Sequence, residues 1–262
     1  MAAVGERQIS YDARGLAEPN ADVPKVSEVD GAKAVFDARD LTTRQINLEL
    51  RWLLYEQGVT DVTVKNPGSK HSIGVGILTR CKITYQGSLG YFGCGLIDGP
   101  EVHITGRVGW SACENMMSGV VVIEGNAGSL TGAALRGGDV VVKGRVGARS
   151  GIDQKGGTII TLGSAGSMNG FMMQRGRQVI CGDVGPGLGD SMYDGIMYVG
   201  GKVKSLGIDC VEGEWTDADT EFIERKFRIY DLGAPPEFQK FVCGKKLYNY
   251  DNLEPSERKL VL

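Results

Sequence analysis

Histidine is scarce in this sequence, which holds only His71 and His103 among its 262 residues. No serine–histidine–acid arrangement and no Cys-x-x-Cys pair accompanies them, so the patterns of a nucleophilic triad and of a common zinc site are missing. The two histidines also fall at different positions of the repeat described below, so we do not expect them to share a ligand. We therefore predict no catalytic, cofactor-binding or metal-binding residue in this chain.

Long apolar runs and strong charge are missing as well. No apolar stretch approaches the roughly 20 residues that span a bilayer, and residues 1–30 lack the basic start and apolar centre of a secretion signal. The net charge of -3 gives no electrostatic reason to expect nucleic acid or an acidic membrane surface. We expect a soluble cytoplasmic protein.

Glycine, in contrast, is abundant, and its 40 residues are ordered along the chain. One row repeats every 19 residues without an insertion or deletion, at Gly87, Gly106, Gly125, Gly144, Gly163, Gly182 and Gly201. Three more rows keep the same period, so the unit reads G-x2-G-x3-G-x5-G, and the third row is Gly132, Gly151, Gly170 and Gly189. A fixed period in this range is typical of a solenoid, in which each coil packs only against its neighbours.

Apolar residues recur at fixed offsets between the glycine rows. One such column is Ile83, Val102, Val121, Val140 and Ile159, with Gln178 interrupting it before Met197. At about 3.3 Å per residue, a coil of 19 residues has a perimeter of about 60 Å, enough for two or three short strands joined by glycine bends. We predict an all-β fold, a right-handed parallel β-helix whose glycines serve its corners and close approaches rather than a phosphate.

One column that alternation should turn outward is apolar at its centre, with Val122, Val141, Ile160, Val179 and Tyr198. Four stacked aliphatic side chains should not remain in water, so something is expected to cover them. Two covers remain open: a terminal segment of this chain or a partner subunit.

Six cysteines show no metal-like spacing, but Cys94 and Cys113 lie one period apart. Stacked coils would bring their backbones within disulfide reach. We favour two small stacked apolar side chains over a redox pair, and the sequence does not assign this pair a role.

The sequence divides into an N-terminal arm (1–40), a capping helix (41–61), the glycine-rich β-helix (62–212) and a C-terminal helix and tail (213–262). Thr42 and Gln45 form a capping-box pattern, and a second helix beginning near Thr216 is expected to cap the opposite end. The irregular terminal arms are expected either to wrap a neighbouring subunit or to fold onto their own solenoid.

Two segments depart from the repeat and are the candidates for contact with a ligand or partner. They are Asn66–His71, written NPGSKH, and Glu114–Gly119, written ENMMSG. Polar residues at irregular points of a solenoid also serve as local turn chemistry, and that interpretation is favoured here.

The glycine unit, together with NPGSKHSIGVGI (66–77), GYFGCGLIDG (90–99), ENMMSG (114–119) and VKSLGIDC (203–210), resembles the GXGXG β-helix of glutamate synthase-like enzymes. Within that family it is most similar to the stand-alone β-helical subunit of N-methylglutamate synthase, over residues from about 40 to 230. The resemblance implies a complex with a class II glutamine amidotransferase-like subunit and an FMN-binding synthase subunit. It places the flavin, possible iron–sulfur chemistry and glutaminase chemistry in those partners, and gives this chain a structural role.

Two alternatives come from other classes. The glycine-repeat subunit of formylmethanofuran dehydrogenase, or of the related formyltransferase–hydrolase complex, shares the repeat but not the 66–77 and 203–210 motifs. A free-standing β-helical enzyme acting on carbohydrate or acyl donors would need a groove of clustered charges or a six-residue unit, which a period of 19 does not fit.

Overall fold

The computed structural model describes residues 23–245 and is mostly β. The strands are β1 (Glu28–Asp30), β2 (Lys33–Asp37), β3 (Asp61–Lys65), β4 (Lys82–Gln86), β5 (Asp98–Ile104), β6 (Ser118–Ile123), β7 (Asp139–Val142), β8 (Lys155–Thr161), β9 (Arg175–Ile180), β10 (Val184–Leu188), β11 (Ile196–Val199), β12 (Val203–Leu206), β13 (Cys210–Glu212) and β14 (Gln239–Cys243). Helix α1 (Thr43–Arg51) runs into a π-helical turn at Trp52–Glu56, and α2 is Asp217–Ile229.

One long parallel sheet forms the first side of the solenoid. Strands β2 to β9 and then β11 pair in parallel, each with the next. From β4 onward the register advances by one period, as Ile83 pairs with Val102 and Val102 with Val121. The predicted β-helix with coils of 19 residues is confirmed.

The other two sides of each coil are not regular strands for most of the length. The second side is reduced to single parallel bridges, such as Val108 with Ala127, until β10 and β12 pair near the end. On the third side, left-handed residues alternate with ordinary ones, as at Ser111, Cys113 and Asn115. Their N–H groups bond to the neighbouring turns, since Cys113 donates to Gly93 O at 2.9 Å and Asn115 to Ala133 O at 2.8 Å. On this side, the backbone groups of stacked coils therefore form hydrogen bonds with each other although the chain is not in strand conformation.

Two physical reasons account for the glycine rows. In the first row neighbouring turns touch, because a Cβ on Gly125 would lie 2.9 Å from Gly106 O. In the third row the backbone is left-handed, with φ of +63° at Gly151 and +69° at Gly170. Both reasons belong to the backbone, as the sequence predicts.

The first end of the solenoid begins earlier than the sequence indicates. Strand β2, within the range expected for the N-terminal arm, pairs in parallel with β3 and buries Ala34 and Phe36. Helix α1 lies between these two strands, inside the first turn, and its Thr42–Gln45 capping box is confirmed. Its apolar face, with Ile46 and Leu50 buried, closes the end of the core. The expected arm is described only from residue 23, since residues 1–22 lie outside the described range.

At the other end, β14 adds to the sheet as an antiparallel strand between β11 and β13. Phe241 of β14 is only 2% exposed, so this part of the tail folds onto its own solenoid. The remainder of the expected arm, residues 246–262, lies outside the described range. No helix of residues 23–245 is long and apolar enough to cross a membrane.

Helix α2 does not cap that end as the sequence suggests. It lies across the outer face of the sheet, where Phe222, Ile223 and Phe227 pack on the apolar column. Val141 and Tyr198 in that column are fully buried. The sequence left two candidates for covering this column, a terminal segment of this chain and a partner subunit. The structure shows that a segment of this chain covers Val141, Ile160, Val179 and Tyr198.

Candidate interaction surface

The entry segment Asn66–His71 is held mainly by local contacts. Asn66 Nδ2 donates to Asp37 Oδ2 at 2.8 Å, and Lys70 Nζ donates to the carbonyl oxygen of Ala38 at 2.9 Å. These bonds tie the second coil to the end of β2. Turn chemistry at a terminal coil, the favoured interpretation, accounts for both polar side chains.

The second irregular segment, Glu114–Gly119, is likewise part of the coil. Met116 is fully buried, and Ser118 Oγ donates to Asp98 Oδ1 at 2.5 Å. Gly119 has a φ of +105° where β6 begins. Only Met117, 46% exposed, offers an apolar side chain to solvent from this segment.

The two histidines are in separate environments, as expected. His103 Nε2 donates to Glu124 Oε1 at 2.7 Å, and Lys143 Nζ lies 2.9 Å from the same oxygen. Burial acts to raise the pKa of Glu124, but the hydrogen bonds from His103 and Lys143 outweigh it and leave the pKa lowered. His103 also lines a groove of about 410 Å³ on the outer face of the sheet, beside the end of α2 at Ile229.

His71 instead starts an aromatic stack along one corner of the solenoid. Its ring lies 4.5 Å from that of Tyr91, which lies 5.5 Å from that of Trp110, with interplanar angles of 21° and 15°. Successive coils place Tyr91 and Trp110 one period apart on the same column. The rings lie over glycines of the following turn, since a Cβ on Gly128 would be 2.6 Å from Trp110 Cδ1.

The stack remains open to solvent, with Tyr91 49% and Trp110 55% exposed. Stacking aromatic rings on an exposed corner buries part of their faces against each other. This stack was not predicted from the sequence, although the period aligns Tyr91 with Trp110 and the motif at 66–71 ends in His71.

Three arginines share this side of the molecule. Backbone bonds between successive coils align Arg107 with Asn126 and then Arg145, because Val108 N donates to Asn126 O and Ala127 N to Arg145 O, each at 2.9 Å. Arg149 follows on the adjoining corner and is exposed. Tyr91, Trp110, Arg107, Arg145 and Arg149 are named here the aromatic–arginine face.

Charge on this face is not neutralised within the described chain. None of its three guanidinium groups forms an ion pair with a carboxylate of residues 23–245. Tryptophan, tyrosine and arginine are the residue types that contribute most to binding at protein interfaces. The arrangement can therefore bind an acidic protein surface by stacking and by guanidinium–carboxylate pairing.

The stacked thiols of Cys94 and Cys113 lie inside the coils, 1% and 0% exposed, and both are free. Burial raises the pKa of Cys94 to about 12 and raises that of Cys113 as well. A neutral, inaccessible thiol is a poor nucleophile. Their position corresponds to the third glycine row of later coils, and their backbone is left-handed like that row, with φ of +56° at Cys94 and +58° at Cys113.

A buried polar group interrupts the apolar columns farther along. Gln154 and Gln178 are 0% and 1% exposed, and Gln178 Nε2 lies 3.3 Å from Gln154 Oε1. Gln154 Nε2 also donates to Gly156 O at 2.9 Å. The sequence shows Gln178 as a break in one column, but a break alone does not reveal that the partner is Gln154.

Residues 23–245 contain no candidate metal centre. No group of three or more histidine, cysteine, aspartate or glutamate side chains is arranged there to hold a metal ion. The aromatic–arginine face and the groove beside His103 are exposed features of this range with binding chemistry.

A comparison with curated proteins shows a short similarity. No family model matches the sequence. Over 66 residues the chain is 39% identical to Protein GlxC of Rhizobium meliloti (strain 1021), and the alignment covers 24% of this chain and 29% of that protein. The chain therefore matches less than a third of the length of this curated relative.

Proposed function

We propose that this chain is a structural subunit of a glutamate synthase-like complex and carries no active site of its own. The glycine unit and the four motifs at 66–77, 90–99, 114–119 and 203–210 support this family, and the short similarity to Protein GlxC fits it. At a finer level, the proposed enzyme is N-methylglutamate synthase, which converts methylamine and glutamate to N-methylglutamate and ammonia.

The observation that carries the proposal is how the glycines are used. A Cβ on Gly163 would lie 2.8 Å from Gly144 O, and one on Gly185 would lie 2.7 Å from the Gly166 carbonyl carbon. The space beside these glycines is therefore filled by the backbone of the preceding turn. The glycines of this motif therefore serve to bring neighbouring coils close together. They do not form a site for a phosphate or a flavin.

A structural subunit needs surfaces for its partners, and the aromatic–arginine face is the proposed contact surface for one of them. Its rings are fixed by stacking, so little side-chain entropy is lost on binding. Its guanidinium groups, which pair with no carboxylate of residues 23–245, favour an acidic partner surface. The proposed partners are a class II amidotransferase-like subunit and an FMN-binding synthase-like subunit, with the flavin in the latter.

Reconstitution tests this proposal. The purified chain should be colourless and inactive toward glutamine or glutamate, and should restore turnover when added to its two partner subunits. Arg145→Glu should reduce that restored activity at least about tenfold at limiting subunit concentration, because a charge reversal opposes an acidic partner.

Arg136→Glu provides the matched control, since Arg136 is an exposed arginine on a different corner of the coil. It should restore activity as the unmodified chain does. Stoichiometric FMN in the isolated chain, or measurable turnover by it, would overturn the structural role. Equal effects of the two reversals would remove the aromatic–arginine face from the proposal while leaving the role intact.

A further inference from the structure

Two cysteines that belong to no column of the solenoid face each other at its C-terminal end. Cys210 of β13 and Cys243 of β14 are direct partners in the antiparallel register. Gly244 N donates to Asp209 O, and Gly213 N donates to Lys240 O, both at 2.8 Å. Hydrogen-bonded and non-hydrogen-bonded pairs alternate along such a ladder, so the two cysteines occupy a non-hydrogen-bonded pair.

This type of pair brings side chains close together. Its Cα atoms are about 4.5 Å apart, within the separation of about 4.4–6.8 Å that a disulfide spans. Both sulfurs are neighbours of Met192: Cys243 Sγ donates to Met192 O at 3.2 Å, while Cys210 Sγ and Met192 Sδ lie 2.8 and 3.0 Å from the point where a Cβ on Gly189 would stand. The separation typical of this type of pair therefore suits a disulfide.

The two thiols differ in access. Cys243 is half-buried, and the backbone N–H of Lys245 donates to its sulfur at 3.3 Å. Cys210 is 5% exposed, and burial raises its pKa to about 12. Cys243 is therefore placed to react with a reagent from solvent, and Cys210 is placed to react only with Cys243.

We propose that Cys210 and Cys243 form a reversible disulfide site that is oxidised by a low-molecular-weight disulfide of the glutathione type. The Cys243 thiolate attacks one sulfur of the reagent, forms a mixed disulfide and releases one thiolate. Cys210 then loses its proton to solvent, attacks Cys243 Sγ and releases the second thiolate. Two protein thiols are oxidised, and one reagent disulfide is reduced to two thiols.

The bond would join the two ends of the segment that contains α2. Residues 211–242 lie between the cysteines, and they include the helix that covers the outer face and most of β14. A disulfide restricts the open states of the segment that it closes. The oxidised chain should hold α2 and β14 on the solenoid more firmly than the reduced chain.

Peptide mapping under non-reducing conditions tests the site on the full-length chain. After incubation with glutathione disulfide, the unmodified protein should show a cross-linked pair of peptides holding Cys210 and Cys243, without bound glutathione. Cys210→Ala should instead keep one glutathione on Cys243, because the second step has lost its nucleophile. Hydrogen exchange of the β14 amides should slow by about tenfold on oxidation, and only where both cysteines are present.

Cys181→Ala is the matched control, because Cys181 is half-buried directly after β9 and should not affect the cross-link. Stable glutathione on Cys243 of the unmodified protein would overturn the proposal, as would two free thiols at these positions after prolonged incubation. A cross-link between Cys94 and Cys113 in place of this one would overturn it equally. If Cys210→Ala fails to fold, Cys243→Ser replaces it, and that variant should take up no glutathione and form no cross-link.

Discussion

At the scale of single residues, the glycines divide into those that permit close approach and those that permit a left-handed backbone. Gly125 belongs to the first group and Gly151 to the second. The sequence shows both groups only as rows of equal period. The structure separates them because it shows φ and the atoms that a side chain would meet.

Substitution of the left-handed corner glycines tests this division. Gly170→Val should lower the free energy of unfolding by about 3 kcal/mol or more, since φ is +69° and a Cβ would lie 2.7 Å from Met197 Sδ. Gly151→Val should do the same. Gly233→Ala, where φ is +78° but nothing lies within 4 Å, separates backbone strain from steric contact and should cost less. Chemical denaturation measures all three, and unchanged stability of both valine variants would contradict the corner assignment.

Asp219 gives a residue-scale prediction on pH. Its carboxylate is 4% exposed and accepts bonds from Tyr198 OH at 2.7 Å, Thr216 N at 2.8 Å and Lys240 Nζ at 2.8 Å. Burial acts to raise its pKa, but these bonds outweigh it and lower the pKa from 3.8 to about 2. The folded state therefore binds this proton less readily than the unfolded state.

The resulting stabilisation is present above pH about 4 and is lost as pH falls through about 2, and it amounts to about 2 kcal/mol. Denaturation at pH about 6 and about 2 should show this difference in the unmodified chain. Asp219→Asn should lose stability near neutral pH, since Lys240 loses its partner, and should show a shallower decline in acid. An equal decline in both proteins would contradict the assignment.

At the scale of elements, α2 is fixed to the sheet at both ends. Asp219 in its first turn bonds Tyr198 of β11 and Lys240 of β14. In its last turn, Lys226 Nζ lies 2.5 Å from Asp139 Oδ2 of β7, and Tyr230 OH donates to the same carboxylate. Between these anchors its apolar face covers the outer column. Helix α2 is thus part of the folded unit and not a detachable arm.

Because α2 covers the outer apolar column, a charged substitution at the centre of that column should strongly lower stability. Val141→Asp should lower the free energy of unfolding by about 3 kcal/mol or more, because the carboxylate would be buried without a partner under α2. Thr84→Asp, in the same column but beyond α2, should change it by less than about 1 kcal/mol. Thermal and chemical denaturation compare the two, and equal stabilities would show that α2 does not cover the sheet.

Strand β14 gives the second prediction at this scale. Deletion of residues 239–262 removes Phe241 and Lys240, whereas deletion of 246–262 leaves both. The first deletion should lower the free energy of unfolding by at least about 3 kcal/mol relative to the second, since a buried phenylalanine and the strand between β11 and β13 are lost. Equal stability of the two truncated chains would contradict the placement of β14.

At the scale of the whole molecule, the period of 19 residues predicts the solenoid because each coil repeats the same contacts. The first turn was not predicted because α1 is inserted in it. As a result Ala34 pairs with Val62, 28 positions later, and the spacing does not match the period of 19. The position of α2 was not predicted because it depends on the contact of Lys226 with Asp139, 87 residues away. Local patterns cannot show such contacts.

The candidate surface was predictable to a smaller extent. The period aligns Tyr91 with Trp110 and Arg107 with Arg145, so their shared columns could be read from the sequence. Their exposure could not, since corner positions of a coil turn either inward or outward with the local backbone. The absence of ion pairs at these arginines within residues 23–245 likewise required the positions of distant carboxylates.

Native mass spectrometry of this chain mixed with its two proposed partners tests the central claim most directly. The scaffold account predicts a complex containing all three subunits, with FMN retained by the synthase-like subunit, and no stable association of the two partners when this chain is left out. Association of those partners without this chain, or FMN bound to this chain alone, would contradict the account.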